Sequence, residues 1–386
     1  KPLKKLIWPV LLNLSSVKTM KTLLFTLEYP PFKGGVANYY GNMAKYWPIN
    51  EKLSVLDNSK QELVSDSCCL SWLPAVSALS RKLDQAKIDY VLAGQILPLG
   101  TAALIVSLLR PLKYGVFLHG MDLSWALKKF RKKWLSYLIL KRADKILCAN
   151  SYVLEKLAEL WPGLSSKAGV FNPGIEGGAP LADPKDIAEL KTKYNLEGKT
   201  VLFSLGRLVK RKGFDRVIEA LDAMPPEKSQ NLVYFIAGKG KREEYLQSLV
   251  PLRFAKKIIF LGALSDREKW AWFHLCDIFL MPARDIAGDF EGFGIVYLEA
   301  NLCNKPVIAG NSGGIKDAVI NGETGLVVDS NNIKEIADAI IVLADNEVLR
   351  HQLGKNGHDR ALQYFNWEKR AEEISKFIKI TNADKL

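Results

Sequence analysis

The chain has 386 residues, 48% hydrophobic and 25% charged. That is the make-up of two ordinary globular domains rather than of a disordered chain, and no apolar run approaches the ~18 residues of a membrane span. The net charge of +13 is unevenly placed, with 24 Lys and Arg against 12 Asp and Glu in residues 1–180 but 30 against 29 in 181–386, so the first half is expected to meet an anionic surface.

Five cysteines (Cys68, Cys69, Cys148, Cys276, Cys303) show no CxxC spacing, which argues against a disulfide framework and for a reducing, cytoplasmic setting. Four histidines (His119, His274, His351, His358) have no partner at metal-ligand spacing, so a zinc site is not expected. Residues 1–19 form an N-terminal extension: Lys4 and Lys5 precede an apolar stretch, but Pro9 and Asn13 interrupt it and no small-residue cleavage site follows.

The first domain is expected over 20–176. A strand at 21–27 runs into a loop ending in Gly34-Gly35, where bare backbone amides can approach a phosphate oxygen. Further strands are expected at 90–93, 114–118 and 145–149. His119, with Gly120, follows the third of these four strands at its carboxyl end. Within 123–142, Leu123, Leu127, Phe130, Trp134 and Leu138 recur at helical spacing. The stripe should pack on the sheet, leaving Lys128, Lys129, Arg131, Lys132 and Lys133 either as a solvated face or as contacts to an anionic membrane.

Two Pro and three Gly within 172–180 mark an interdomain linker. A second domain, 177–365, repeats the pattern with strands at 200–205, 232–237, 257–261, 278–281, 306–309 and 325–328. All these runs are continuous rather than alternating, the mark of parallel sheet covered on both faces. The fold class is therefore α/β with two doubly wound parallel-sheet domains, whose ligands bind beyond the carboxyl ends of the strands.

Two segments of the second domain carry chemistry. After the strand at 200–205, Arg207 and Lys212 can face one crevice and hold a diphosphate. After the strand at 278–281, the turn Gly292–Gly294 opens a helix whose first amides, at Phe293, Gly294 and Ile295, suit phosphate. Glu291 and Glu299, eight residues apart, would be separated by about 12 Å along a helix axis. That exceeds the ~5 Å to ~10 Å between the carboxylates of glycosidases, and suits a grip on the hydroxyls at either end of a sugar–diphosphate–ribose. No GxGxxG follows the first strand and no GxxxxGK[ST] occurs, which removes the usual support for dinucleotide oxidoreductases and P-loop enzymes.

Taken in order, Gly34-Gly35, His119-Gly120, Gly206-Arg207 with Lys212-Gly213, and Glu291 to Glu299 resemble the retaining GT-B-fold glycosyltransferases of family 4 (group 1). The likeness is most specific in FSLGRLVKRKGFD, EGFGIVYLEA, KPVIAGNSGG and GETGLVV, and within the family it is greatest to bacterial phosphatidylinositol mannosyltransferases. It implies a GT-B fold, two Rossmann-like domains facing across a cleft, with a C-terminal helix at 366–380 crossing back onto the first. The implied reaction is metal-independent and needs no cofactor: a hexose, mannose from GDP-mannose above all, passes to a lipid-linked or glycan acceptor at the inner face of the membrane, with no nucleic acid involved.

By this resemblance Arg207 and Lys212 hold the diphosphate and stabilise the departing charge, and Glu299 takes the ribose hydroxyls. Glu291 and the amides of Phe293 and Gly294 hold the sugar, His119 contacts it from the opposite domain, and Gly35 brings its amide to the phosphate. The leaving phosphate itself helps deprotonate the acceptor. The sequence departs from the family at Gly174-Ile175-Glu176, where Asp is usual in place of Glu. A UDP-sugar-dependent glucosyl- or N-acetylglucosaminyltransferase and a sugar-nucleotide 2-epimerase share these features. A nucleic-acid-binding protein would explain the basic half but lacks any recognised module.

Overall fold

The computed structural model describes residues 19–64 and 70–380; residues 1–18 of the extension, with Cys68 and Cys69, lie outside them. Among the described residues twelve strands form two six-stranded sheets in which every pairing is parallel. The first contains β1 (Lys21–Phe25), β2 (Lys52–Leu56), β3 (Tyr90–Ala93), β4 (Lys113–Leu118), β5 (Lys145–Cys148) and β6 (Ala168–Val170), in the order β2-β1-β3-β4-β5-β6. The second contains β7 (Thr200–Leu205), β8 (Leu232–Ala237), β9 (Ile258–Gly262), β10 (Ile278–Met281), β11 (Val307–Gly310) and β12 (Gly325–Val328), in the order β12-β11-β10-β7-β8-β9. Read from β9, this is the 3-2-1-4-5-6 order of the dinucleotide-binding folds.

The continuous apolar runs have the cause expected of them. β3, β5, β8, β10 and β11 are buried at every position, with helices on both faces. Behind the second sheet Trp272 is buried, its ring 4.4 Å from that of Phe235 and stacked on Phe203. Two strands escape sequence reading, β2 and β6, and both are edges. β2 is at most half-buried and β6 has three half-buried residues, so neither position demands an apolar run.

The span 123–142 also differs from expectation. It is two helices, Met121–Leu127 and Phe130–Arg142, broken where Lys129 is extended. Leu123 is buried, and Leu127 and Leu138 pack on the first-domain core. Phe130 and Trp134, placed on the same stripe by sequence, face solvent instead, because the break rotates the second helix relative to the first.

The chain crosses between the sheets twice, side by side: Ile175 of the outgoing segment bridges to Asn366 of the returning one. Asn366 caps the helix Trp367–Lys379, which packs on the first domain. Trp367 meets Tyr39 at 5.1 Å, Phe377 meets Phe171 at 5.0 Å, and Lys379 pairs with Glu51. Glu176, the residue at which the sequence departs from the family pattern, reaches across to Lys45 at 2.8 Å.

The carboxyl ends of the two sheets face each other. Phe290, from the loop after β10, enters the first-domain core and meets Tyr152 at 4.7 Å. Asn150 donates to Gly292 O at 2.5 Å, and Asp317 accepts from Ser151 and Asn172.

Candidate functional site

The second sheet reverses its strand order between β7 and β10, and the loops leaving these two strands build a crevice there. The β7 loop carries Arg207, Arg211 and Lys212; the β10 loop carries Arg284 and Glu291 and ends in the helix Ile295–Leu302. Gly294 holds the turn at φ +81, where an added Cβ would strike the Tyr297 ring at 2.4 Å, so only glycine fits. No side chain caps this helix, and the amides of Phe293, Gly294 and Ile295 make no hydrogen bond among the described residues. These are the free donors that an anion would take.

Lys212 is half-buried and donates to Glu291 Oε2 at 2.7 Å; Arg211, buried, binds the same oxygen and approaches Asp289 at 3.0 Å. Burial alone would raise the Glu291 carboxyl, but Lys212 and Arg211 outweigh it and hold the group below the usual carboxylate range. Burial pushes the Lys212 ammonium down; Glu291 offsets part of this, and the charges of Arg211 and Arg207 add to it. Behind them, Arg284 pairs with the buried Asp215 at 2.5 Å. Arg207 differs from all of these: it is exposed, and its guanidinium makes no hydrogen bond or ion pair among the described residues. The crevice thus holds one free cation, two cations that share one carboxylate, and a row of unpaired amides.

Glu299 lies apart from Glu291. It is paired with Lys269 at 2.9 Å, whereas Glu291 precedes the helix and belongs to the Arg211–Lys212 group. The axial spacing of about 12 Å inferred for a single helix therefore does not apply, since only Glu299 is helical.

Across the cleft, His119 follows β4. Its ring stacks on Phe117 and lies edge-on to Tyr39 and Tyr40. Tyr40 Oη lies 2.6 Å from Gly94 O and 2.7 Å from His119 Nε2. A carbonyl only accepts, so the single hydroxyl proton goes to Gly94 and Nε2 must carry the imidazole hydrogen. Burial lowers the His119 pKa to about 4. The ring is neutral at pH 7, with Nδ1 left as the acceptor.

Asp122 fixes this turn, accepting from the amides of His119, Gly120 and Leu123 at 2.9–3.1 Å. Its pKa is pushed up to about 6 by burial, against those hydrogen bonds. Gly120 sits at φ +107 with its Cα facing the Phe290 ring, which leaves no room for a Cβ. Gly35 begins the helix Gly35–Lys45 and has open space in front of it, as an approaching ligand requires.

Sequence reasoning did not single out Arg211, Arg284, Tyr40 or Asp122. Arg211 stood in view within the basic loop, but one-dimensional order cannot say which of three adjacent cations turns inward. No group of three or more His, Cys, Asp or Glu side chains suited to a metal ion occurs among the described residues. The basic residues Lys128, Lys129, Arg131, Lys132 and Lys133 are all exposed, and no helix among the described residues is long and apolar enough to cross a membrane.

Residues 186–360 match the family described as glycosyl transferases group 1, and residues 57–176 match glycosyltransferase family 4. The GDP-mannose-dependent alpha-(1-6)-phosphatidylinositol monomannoside mannosyltransferase of Mycobacterium tuberculosis is 27% identical over 384 residues, 93% of this chain and 98% of the relative. Among solved structures, a glycosyltransferase from Rickettsia africae has a TM-score of 0.78 at 18% identity, covering 94% of this chain and 98% of its own. Anabaena HepE, solved with UDP, has a TM-score of 0.74 at 20% identity, covering 92% and 99%.

Proposed function

Because the chain is a GT-B-fold glycosyltransferase, a family 4 domain followed by a group 1 domain, we propose that it transfers mannose from GDP-mannose to a lipid-linked acceptor at an anionic membrane surface, with retention and without a metal ion. One observation carries the donor side: the unpaired Arg207, the Glu291-bound Lys212 and the free amides of Phe293, Gly294 and Ile295 converge where the strand order reverses. Together they offer a diphosphate the charge and donors that a metal would otherwise supply. On binding, Lys212 exchanges part of its bond to Glu291 for phosphate, freeing Glu291 to accept from sugar hydroxyls. Glu299, opened from Lys269, takes the ribose.

His119 approaches from the first domain with a neutral ring, so it accepts a hydroxyl hydrogen rather than donating an acid proton. Glu291 and Glu299 are both committed to cations, which fits a reaction in which the leaving phosphate deprotonates the acceptor. Mannose and the lipid acceptor rest on the mycobacterial relative, whose likeness spans 93% of this chain. The membrane reading rests on the exposed cations of 128–133 and the exposed rings beside them in sequence.

The decisive assay is nucleotide release from GDP-mannose, UDP-glucose and UDP-N-acetylglucosamine with a lipid extract as acceptor. Release from GDP-mannose that depends on the acceptor is expected. A preference for a UDP-sugar, UDP being the nucleotide bound to Anabaena HepE, would overturn the donor assignment, and conversion of the sugar nucleotide without acceptor or nucleotide release would point to an epimerase. Sedimentation with anionic vesicles should occur at low salt and weaken as salt screens exposed charges beyond ~10 Å at 0.1 M.

A further inference from the structure

The helix Phe130–Arg142 exposes its rings where a buried helix would hide them. Phe130 is 84% exposed, Trp134 58%, and Trp125 of the preceding helix 59%. Next to Phe130 and Trp134, this helix and the turn Pro162–Lys167 enclose a groove of about 710 Å³, lined by Tyr137, Leu160, Trp161 and Leu164. The rings of Tyr137 and Trp161 lie 6.0 Å apart in its wall. Lys133 and Lys141 also line it, both exposed. Lys167 is committed elsewhere: its ammonium closes the helix C-terminus by donating to Lys141 O at 2.7 Å and to Ala143 O.

The volume is that of a small-molecule site, and its chemistry is divided between an apolar trough and a cationic rim. Lys128, Lys129, Arg131, Lys132 and Lys133 make no ion pair among the described residues. Lysine is depleted in protein–protein interfaces, whereas free cations beside exposed aromatic rings match the phosphate and acyl layers of a lipid leaflet. The segment is also continuous with the cleft, since its first helix begins at Met121, directly after His119-Gly120.

We propose that this groove takes one acyl chain of an anionic membrane phospholipid, with the lipid phosphate at Lys133 and Lys141 and with Phe130 and Trp134 at the water–lipid boundary. The proposal rests on the membrane reading above and adds to it a discrete binding site on the first domain. Extraction of a single chain into the groove would hold the enzyme in one orientation, with the His119 side of the cleft turned to the leaflet.

The test uses the full chain and lysophosphatidylglycerol below its micelle concentration, followed by calorimetry, with glycerophosphoglycerol as the head-only probe. Gly163 lines the groove and a Cβ there would meet nothing within 4 Å, so Gly163→Trp should fill the trough without disturbing the fold, and Gly163→Ala is its control. Wild type and Gly163→Ala should bind the single-chain lipid, with affinity falling about fourfold for each methylene removed from the buried part of the chain. Gly163→Trp should bind it at least tenfold more weakly while still sedimenting with anionic vesicles at low salt.

Equal binding by Gly163→Trp, or affinity independent of chain length, overturns the proposal. Absence of lysolipid binding with vesicle sedimentation intact rejects the groove and leaves the membrane reading standing; loss of sedimentation in wild type rejects both. Concentration-dependent dimerisation abolished by Gly163→Trp, without lipid binding, would assign the groove to a second copy of the chain instead.

Discussion

Replacing Glu291 with Gln should destabilise the second domain more than any change to its partners. Its Oε2 is shared by Arg211 and Lys212, and the three side chains are only 9–12% accessible. A glutamine oxygen can satisfy one cation, while the other faces a neutral amide, with only the exposed Asp289 left near Arg211. Removing one partner of a buried ion pair costs about 3–5 kcal/mol. At roughly 2–4 °C per kcal/mol for a domain of this size, melting should fall by about 6–20 °C. Lys212→Met should be milder, because Glu291 keeps Arg211 and burial already disfavours the ammonium it removes. Calorimetric melting of wild type, Glu291→Gln and Lys212→Met, with and without GDP, checks the ranking. GDP should stabilise Glu291→Gln at least as much as wild type, since its diphosphate supplies the missing anion. A Glu291→Gln melt within about 3 °C of wild type, or a larger loss in Lys212→Met, would refute the shared-carboxylate account.

In the crevice itself, Arg207→Ala and Lys212→Ala should each lose at least tenfold in kcat/KM, since a charged hydrogen bond is worth about 1.5–3 kcal/mol; near-normal turnover in both would rule out the assigned diphosphate site. Excess EDTA should leave activity unchanged, and loss of activity restored by magnesium or manganese would contradict the metal-free reading. The acid dependence of stability should reveal two opposing groups. His119, lowered to about 4 by burial, contributes stability above its ordinary 6.5 that is lost as pH falls through about 4. Asp122, raised to about 6, contributes stability below its ordinary 3.8 that is lost as pH rises through about 6. The two oppose each other between these values, so Asp122→Asn should steepen the acid loss by up to about 3 kcal/mol. Urea unfolding from pH 4.5 to 7 measures this, and profiles that coincide for wild type and Asp122→Asn would show the balance to be absent.

The strands that local composition could mark are those buried on both faces. β8 and β10 are apolar at every position because helices cover both sides, whereas edge strands β2 and β6 carry no such demand and left no run to read. The site divides in a similar way. Gly120 and the basic loop after β7 stand at strand ends and Gly294 opens the helix after β10, where a doubly wound fold binds ligands, so their neighbourhood follows from chain order alone. Their partners do not. Arg211, Lys212 and Glu291 are brought to one oxygen across roughly eighty residues, and the tautomer of His119 depends on Gly94 and Tyr40, which arrive from two other elements.

The amphipathic stripe of 123–142 shows the limit from the other side. Periodicity assumed one straight helix, but the break at Lys129 turns Phe130 and Trp134 outward, making a surface feature of residues that looked like core. The sequence by itself determined the two parallel-sheet domains, the linker between them and the family to which the motifs point, because burial and turn geometry constrain residue type locally. Which cation pairs with which carboxylate, which rings face water and which proton His119 carries were decided by tertiary structure, because each depends on groups apart in the chain that meet only when each domain packs.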